Sequence, residues 1–192
     1  PLQNARVVVT NPRGWKAVNE NANTERTLYL VDGSAYIFRA YHALPPLTRS
    51  DGTPVGAVRG FMTMMLRLVE DHARDYFAVI FDAKGETFRH KIYDQYKANR
   101  DAPPEDLRPQ FPLVRDATRA LNLSCIEKGG FEADDIIATY AQLGAKAGLD
   151  VVIVSSDKDL MQLVDDRVCM FDPMKQRTIR HDEVVEKFGV AP

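Results

Sequence analysis

Apolar runs that end at an aspartate, separated by helical stretches of about ten residues or more, are the feature that most restricts this chain's fold. Thr27-Leu28-Tyr29-Leu30-Val31 exits into Asp32-Gly33-Ser34, and Tyr76 to Phe81 exits into Asp82. Asp150 to Val154 repeats the pattern before Ser155-Ser156-Asp157-Lys158-Asp159-Leu160, where a short helix is expected. Uninterrupted apolar runs of this length describe strands buried on both faces. Between them, Thr53 and Pro54 suit the opening of a helix to about His72, with Val55, Val58, Met62, Met65, Leu66 and Val69 at core spacing. A further helix is expected from about Pro104 or Arg108 to Leu121, then a short strand from Leu123 to Glu127. Gly129-Gly130-Phe131 leads into Glu132-Ala133-Asp134-Asp135 and a helix that closes before Gly148. Val168 to Phe171 is expected to add an edge strand, and Asp182 to Phe188 a last helix stopped by Gly189. Strands alternating with helices predict an α/β fold, a mostly parallel twisted sheet flanked by helices.

In a parallel sheet all strand exits lie on one edge, where ligands bind at the reversal of strand order. Asp32, Asp82, Asp157 and Asp159 therefore meet Glu132, Asp134 and Asp135 on that edge. A single aspartate there would be an ordinary turn or helix cap. Seven carboxylates repel one another unless something positive lies between them. A set made only of oxygen donors, with no Cys or His cluster, favours Mg²⁺ or Mn²⁺ over zinc. Two such ions about 4 Å apart would activate a water and stabilise the leaving oxygen of a phosphodiester. By this reading Asp135→Asn abolishes cleavage and leaves the metal-free fold intact or stabilised, because repulsion is relieved.

From Lys84 to about Pro112 the character changes. Lys84, Arg89, Lys91, Lys97, Arg100 and Arg108 are interleaved with Phe88, Tyr93 and Tyr96, and only Asp94 opposes the cations between Arg89 and Arg100. A basic segment with inserted aromatics, next to an acidic pocket, suits a phosphate-backbone ligand. The net charge of −2 gives no global sign of one, so this local clustering carries the inference. The 192 residues suit one domain and a monomer. Residues 1–26 are polar and Asn-rich apart from Val7-Val8-Val9, and are set aside as an N-terminal extension, leaving 27–192 as the functional unit. Cys125 and Cys169 lack metal-ligand spacing and read as core thiols. No membrane-length apolar run and no signal-peptide pattern is present, so a cytoplasmic setting without membrane partners is expected.

Six motifs in order, Leu30-Val31-Asp32-Gly33-Ser34, Phe81-Asp82-Ala83-Lys84, Phe88-Arg89-His90, Tyr96-Lys97-Ala98-Asn99-Arg100, Glu132-Ala133-Asp134-Asp135 and Ser156-Asp157-Lys158-Asp159-Leu160, resemble the 5′-nuclease domain of bacterial DNA polymerase I. That domain belongs to the flap endonuclease family with its PIN-like fold. The resemblance implies 5′-to-3′ exonuclease and flap endonuclease activity on DNA with a 5′ flap, a nick or a single-stranded 5′ end, in replication and repair. It implies two Mg²⁺ (or Mn²⁺) ions held directly or through water by Asp32, Asp82, Glu132, Asp134, Asp135, Asp157 and Asp159. Lys97 and Arg100 match the basic pair of an arch over the scissile phosphate, with Lys84 and Arg89 lining the passage as DNA contacts. A polymerase portion of the parent chain is the implied covalent partner.

The family also carries a later Gly-Asp-x-x-Asp-Asn-x-Pro-Gly motif and a helix-hairpin-helix element. This sequence reaches Phe188-Gly189-Val190-Ala191-Pro192 without them, so it is expected to be a fragment with part of the second-metal site missing. The alternative is a nucleic-acid-binding fragment without full activity. A phosphatase loop at Asp32-Gly33-Ser34 is weaker, because Ser34 stands where that chemistry needs a second aspartate.

Overall fold

The strand β1 (Thr27–Asp32) is buried on both faces: Leu28 and Leu30 join one core, Val31 the other. The structure, a computed structural model, describes residues 26–72 and 76–192, and the readings made for residues 1–25 lie outside the described residues. β2 (Tyr76–Ile80), β3 (Ser124–Ile126), β4 (Asp150–Val154), β5 (Val168–Asp172) and β6 (Arg177–Ile179) complete one sheet in the order β3-β2-β1-β4-β5-β6. Every neighbouring pair is parallel except β5 with β6. The chain runs outward from β1 to β3 and returns on the other side of β1 with β4, so the order reverses between β1 and β4. The expected mostly parallel α/β sheet is present.

Helices cover both faces. On one side α1 (Gly33–Ala43), α2 (Gly56–His72) and α4 (Gln110–Ala120) enclose Val31, Phe77, Val79, Phe81 and Val154. On the other, α5 (Ala133–Lys146), a 3-10 helix over Lys158–Leu163 and α6 (His181–Phe188) enclose Leu30, Ile80, Ile153 and Met170. Each fully buried side chain of this size contributes about 1.5–3 kcal/mol, so the strand exits stand on a stiff scaffold.

Four local expectations change. The α1 helix is not announced by the apolar pattern; Asp32 starts it by accepting a hydrogen bond from the Ala35 amide at 3.0 Å. The α2 helix begins at Gly56 because Thr48 and Pro54 form a bridge and Val55 donates to the Leu47 carbonyl, keeping Thr53 to Val55 out of the helix. Its core face is centred on Ala57, Phe61, Met65 and Leu68, with the expected Val58, Met62 and Val69 half-buried beside them, whereas Leu66 is 40% exposed. The cause is α1, which meets α2 closely where a Cβ on Gly60 would lie 3.0 Å from that of Ala40. Gln110, buried and distant in sequence, accepts from the Ala57 and Val58 amides and so satisfies donors at the start of α2 that no helical carbonyl can reach. Finally, β5 lies inside the sheet and β6 takes the edge.

Candidate active site

The acids do converge on the C-terminal edge of the sheet, but in two groups with opposite electrostatics. Asp32 ends β1 and is buried; its Oδ1 accepts from the Ala35 amide and its Oδ2 from the Ser155 hydroxyl, each at 3.0 Å. Asp82 follows β2, donates its amide to Ser34 Oγ at 2.9 Å and accepts from the Ala133 amide through Oδ1 at 2.8 Å. Asp157 follows β4 and caps the 3-10 helix by accepting from the Asp159 amide at 2.9 Å. Asp134, in the first turn of α5, feels all three. Burial, then the charges of Asp32, Asp157, Asp82 and Glu132, push its carboxyl up to about 6. Burial also pushes Asp32 up, against the pull of its two hydrogen bonds.

Glu132 and Asp135 belong to the second group. Arg89 grips Asp135 with two parallel hydrogen bonds of 2.7 and 2.8 Å and lies 3.7 Å from Glu132. Lys97 Nζ donates to Glu132 Oε1 at 2.6 Å, and the Tyr96 hydroxyl donates to Oε2 at 3.1 Å. Arg89 holds the Asp135 carboxyl below the usual carboxylate range, with help from the Glu132 amide. The expected repulsion at Asp135 is therefore corrected. Its charge is compensated, and of the three acids at the start of α5 it is Asp134 that is raised by burial and crowding, together with Asp32 at the end of β1.

The basic segment is fastened to this second group. Only α3 (Phe88–Ile92) is an α-helix within 84–109, and turns follow through residue 99. The Phe88 amide donates to the Gly130 carbonyl, the Phe88 and Phe131 rings lie 5.8 Å apart, and the Arg89 guanidinium covers Phe88 at 4.6 Å. Lys97 sits in a left-handed backbone conformation, φ 57°, which positions its amine toward Glu132. Lys84, Arg100 and Asp159 are exposed, and among the described residues their side chains join no ion pair or hydrogen bond.

A sequence profile of the family described as 5′-3′ exonuclease, N-terminal resolvase-like domain matches residues 27–189. The chain belongs to this family. Within the 5′-3′ exonuclease family, it is 56% identical over 186 residues to the DNA polymerase I of Rhizobium leguminosarum, covering 92% of this chain and 18% of that protein. To the 5′-3′ exonuclease of Aquifex aeolicus it is 40% identical over 167 residues, covering 87% of this chain and 58% of that one. The chain thus spans less than a fifth of the first relative and somewhat over half of the second. A bacteriophage T5 flap endonuclease, solved in a complex with DNA and metal ions, superposes with a TM-score of 0.67 over 86% of this chain and 61% of that chain at 24% identity, a likeness of fold.

Three residues to which the sequence reading gave no role among the exonuclease-family acids hold them in place. Ser34 receives the Asp82 amide, and Ser155 joins Asp32 to the amide of Asp157. Arg115 of α4 donates to the Asp82 carbonyl at 2.7 Å and to Glu127 at 2.7 Å, with its guanidinium over the Phe81 ring. Their only sequence signal was position, beside a strand exit or on a helix facing one. Gly33 has a steric reason: a Cβ there would lie 2.5 Å from the Phe81 ring and 2.9 Å from the Ile80 carbonyl.

The donors suit a hard divalent cation chemically, since Asp32, Asp82, Asp134 and Asp157 offer only carboxylate oxygens and Asp134 is left without a protein donor among the described residues. As they stand, no three acids among the described residues converge tightly enough to enclose one ion.

Proposed function

We propose that this chain is the 5′-nuclease portion of a DNA polymerase I, hydrolysing DNA phosphodiesters at single-stranded 5′ ends, nicks and flaps with Mg²⁺ or Mn²⁺, in cytoplasmic replication and repair. Residues 27–192 make up its PIN-like catalytic part, 84–112 its DNA-gripping basic segment, and 1–26 an extension outside it. Asp134 carries the reading. A half-buried carboxylate pushed up to about 6 by burial and then by four neighbouring acids, where the strand order reverses, is costly until a cation arrives.

Asp32, Asp82, Asp134 and Asp157 would hold that cation directly, and Glu132, Asp135 and Asp159 directly or through water, with two ions in the complete domain. When bound, the metal supplies a Lewis acid and an activated water. The remaining work falls to the chain's own groups. Lys97 and Arg100 bind the scissile phosphate and offset the charge that develops on it, while Lys84 and Arg89 hold the neighbouring phosphates. Arg89 and Lys97 now neutralise Asp135 and Glu132, so an entering phosphate exchanges one anionic partner for another instead of stripping water from bare cations.

The pairing of Glu132 and Asp135 with arch cations favours one second reading, a module that binds DNA without cutting it. A 5′-labelled flap duplex separates the two. This chain and a longer form containing the rest of the nuclease region should both bind, and the longer form should release a short 5′ product with Mg²⁺ but not with EDTA. Absence of Mg²⁺-dependent product from the longer form would refute the nuclease.

A further inference from the structure

Ser155 is the first residue beyond β4, adjacent to the end of β1 at the point where the strand order reverses. Its side chain is 1% exposed. The hydroxyl's single proton is donated to Asp32 Oδ2 at 3.0 Å, and its oxygen accepts the Asp157 amide at 3.0 Å. Asp157 in turn accepts from the Asp159 amide at 2.9 Å. A continuous hydrogen-bonded chain therefore runs from Asp32 through Ser155 and Asp157 to Asp159, across the gap between two strands. Among the described residues no other side chain joins the Asp32 carboxylate to the β4 acids.

We infer that Ser155 is a positioning residue: its buried hydroxyl fixes the orientation of the Asp32 carboxylate and its spacing from Asp157, so that both present oxygens to one divalent cation. The inference rests on the metal-dependent reading above. With alanine at this position, Asp32 keeps only the Ala35 amide and its carboxylate turns about its last torsion. The Asp157 amide, part-buried, loses its acceptor, and the start of the 3-10 helix loosens. Residues that orient metal-binding groups without touching the ion typically change affinity by about 10- to 100-fold when removed.

The experiment measures Mn²⁺ affinity by electron paramagnetic resonance of free Mn²⁺, and unfolding midpoints in EDTA, for the unaltered chain, Ser155→Ala, Ser155→Thr and Val184→Ala. Val184 packs in the core on α6 and serves as a destabilised control. Ser155→Ala should weaken Mn²⁺ binding about tenfold or more. Ser155→Thr, which retains the hydroxyl, should stay within about threefold, and Val184→Ala should lose stability without losing affinity. Unchanged Mn²⁺ affinity in Ser155→Ala would overturn this inference alone, making the serine a purely structural cap. If Val184→Ala lost as much affinity as Ser155→Ala, general destabilisation would replace positioning and the inference would likewise fall. No Mn²⁺ binding by the unaltered chain would overturn this inference, whereas the metal-dependent reading falls only if the longer form also shows no Mg²⁺-dependent product.

Discussion

Neutralising two adjacent acids of α5 should move stability in opposite directions. Asp134 has a folded pKa of about 6 against an ordinary 3.8. The folded chain thus binds that proton more tightly than the unfolded chain, and stability falls as pH rises between those values. A gap of about two units corresponds to about 3 kcal/mol of strain above pH 6, absent below about pH 4. Asparagine must itself be desolvated, so Asp134→Asn should recover about 1–2 kcal/mol at pH 7.5. Asp135 is the reverse case. Arg89 holds its pKa below the ordinary value, so its contribution is present at neutral pH and is lost as pH falls through that lowered value. Asp135→Asn removes a bidentate charged pair whose side chains are 31% and 20% exposed, and should cost about 1–2 kcal/mol after solvent screening. Urea denaturation in EDTA at pH 7.5 and pH 4 reads both. At pH 4 the gain from Asp134→Asn should vanish, and most of the loss from Asp135→Asn should persist. A fall in midpoint for Asp134→Asn at pH 7.5, or an equal gain at both pH values, would refute the division of the acids into a strained and a compensated group.

Three further substitutions test the packing and the basic segment. Phe61→Ala should destabilise by about 3–5 kcal/mol and Leu66→Ala by under about 0.5 kcal/mol in thermal unfolding, because α1 claims the face of α2 that carries Phe61. Lys97→Ala, by removing the amine that now rests on Glu132, should slow flap cleavage at saturating DNA more than it weakens binding measured by fluorescence anisotropy. Equal losses would reduce Lys97 to an ordinary phosphate contact.

The sequence by itself determined the sheet and its acidic edge. Strands such as Leu28 to Val31 and Val151 to Val154 must be buried on both faces, only helical crossovers can join them in parallel, and every strand exit then lies on one side. Asp32, Asp82 and Asp157 followed from that topology. Tertiary structure decided where the buried face of α2 is centred, since the pattern 57, 61, 65, 68 is as helical as 58, 62, 65, 69, both rows pack on the core, and contact with α1 buries the first more fully. It also decided the charge state along Glu132 to Asp135. Three acids within four positions look equally crowded in one dimension, but α5 points Asp134 at the strand ends and turns Asp135 and Glu132 toward Arg89 and Lys97, more than thirty residues earlier in the chain. Coulomb energies depend on those through-space distances, which sequence spacing does not contain.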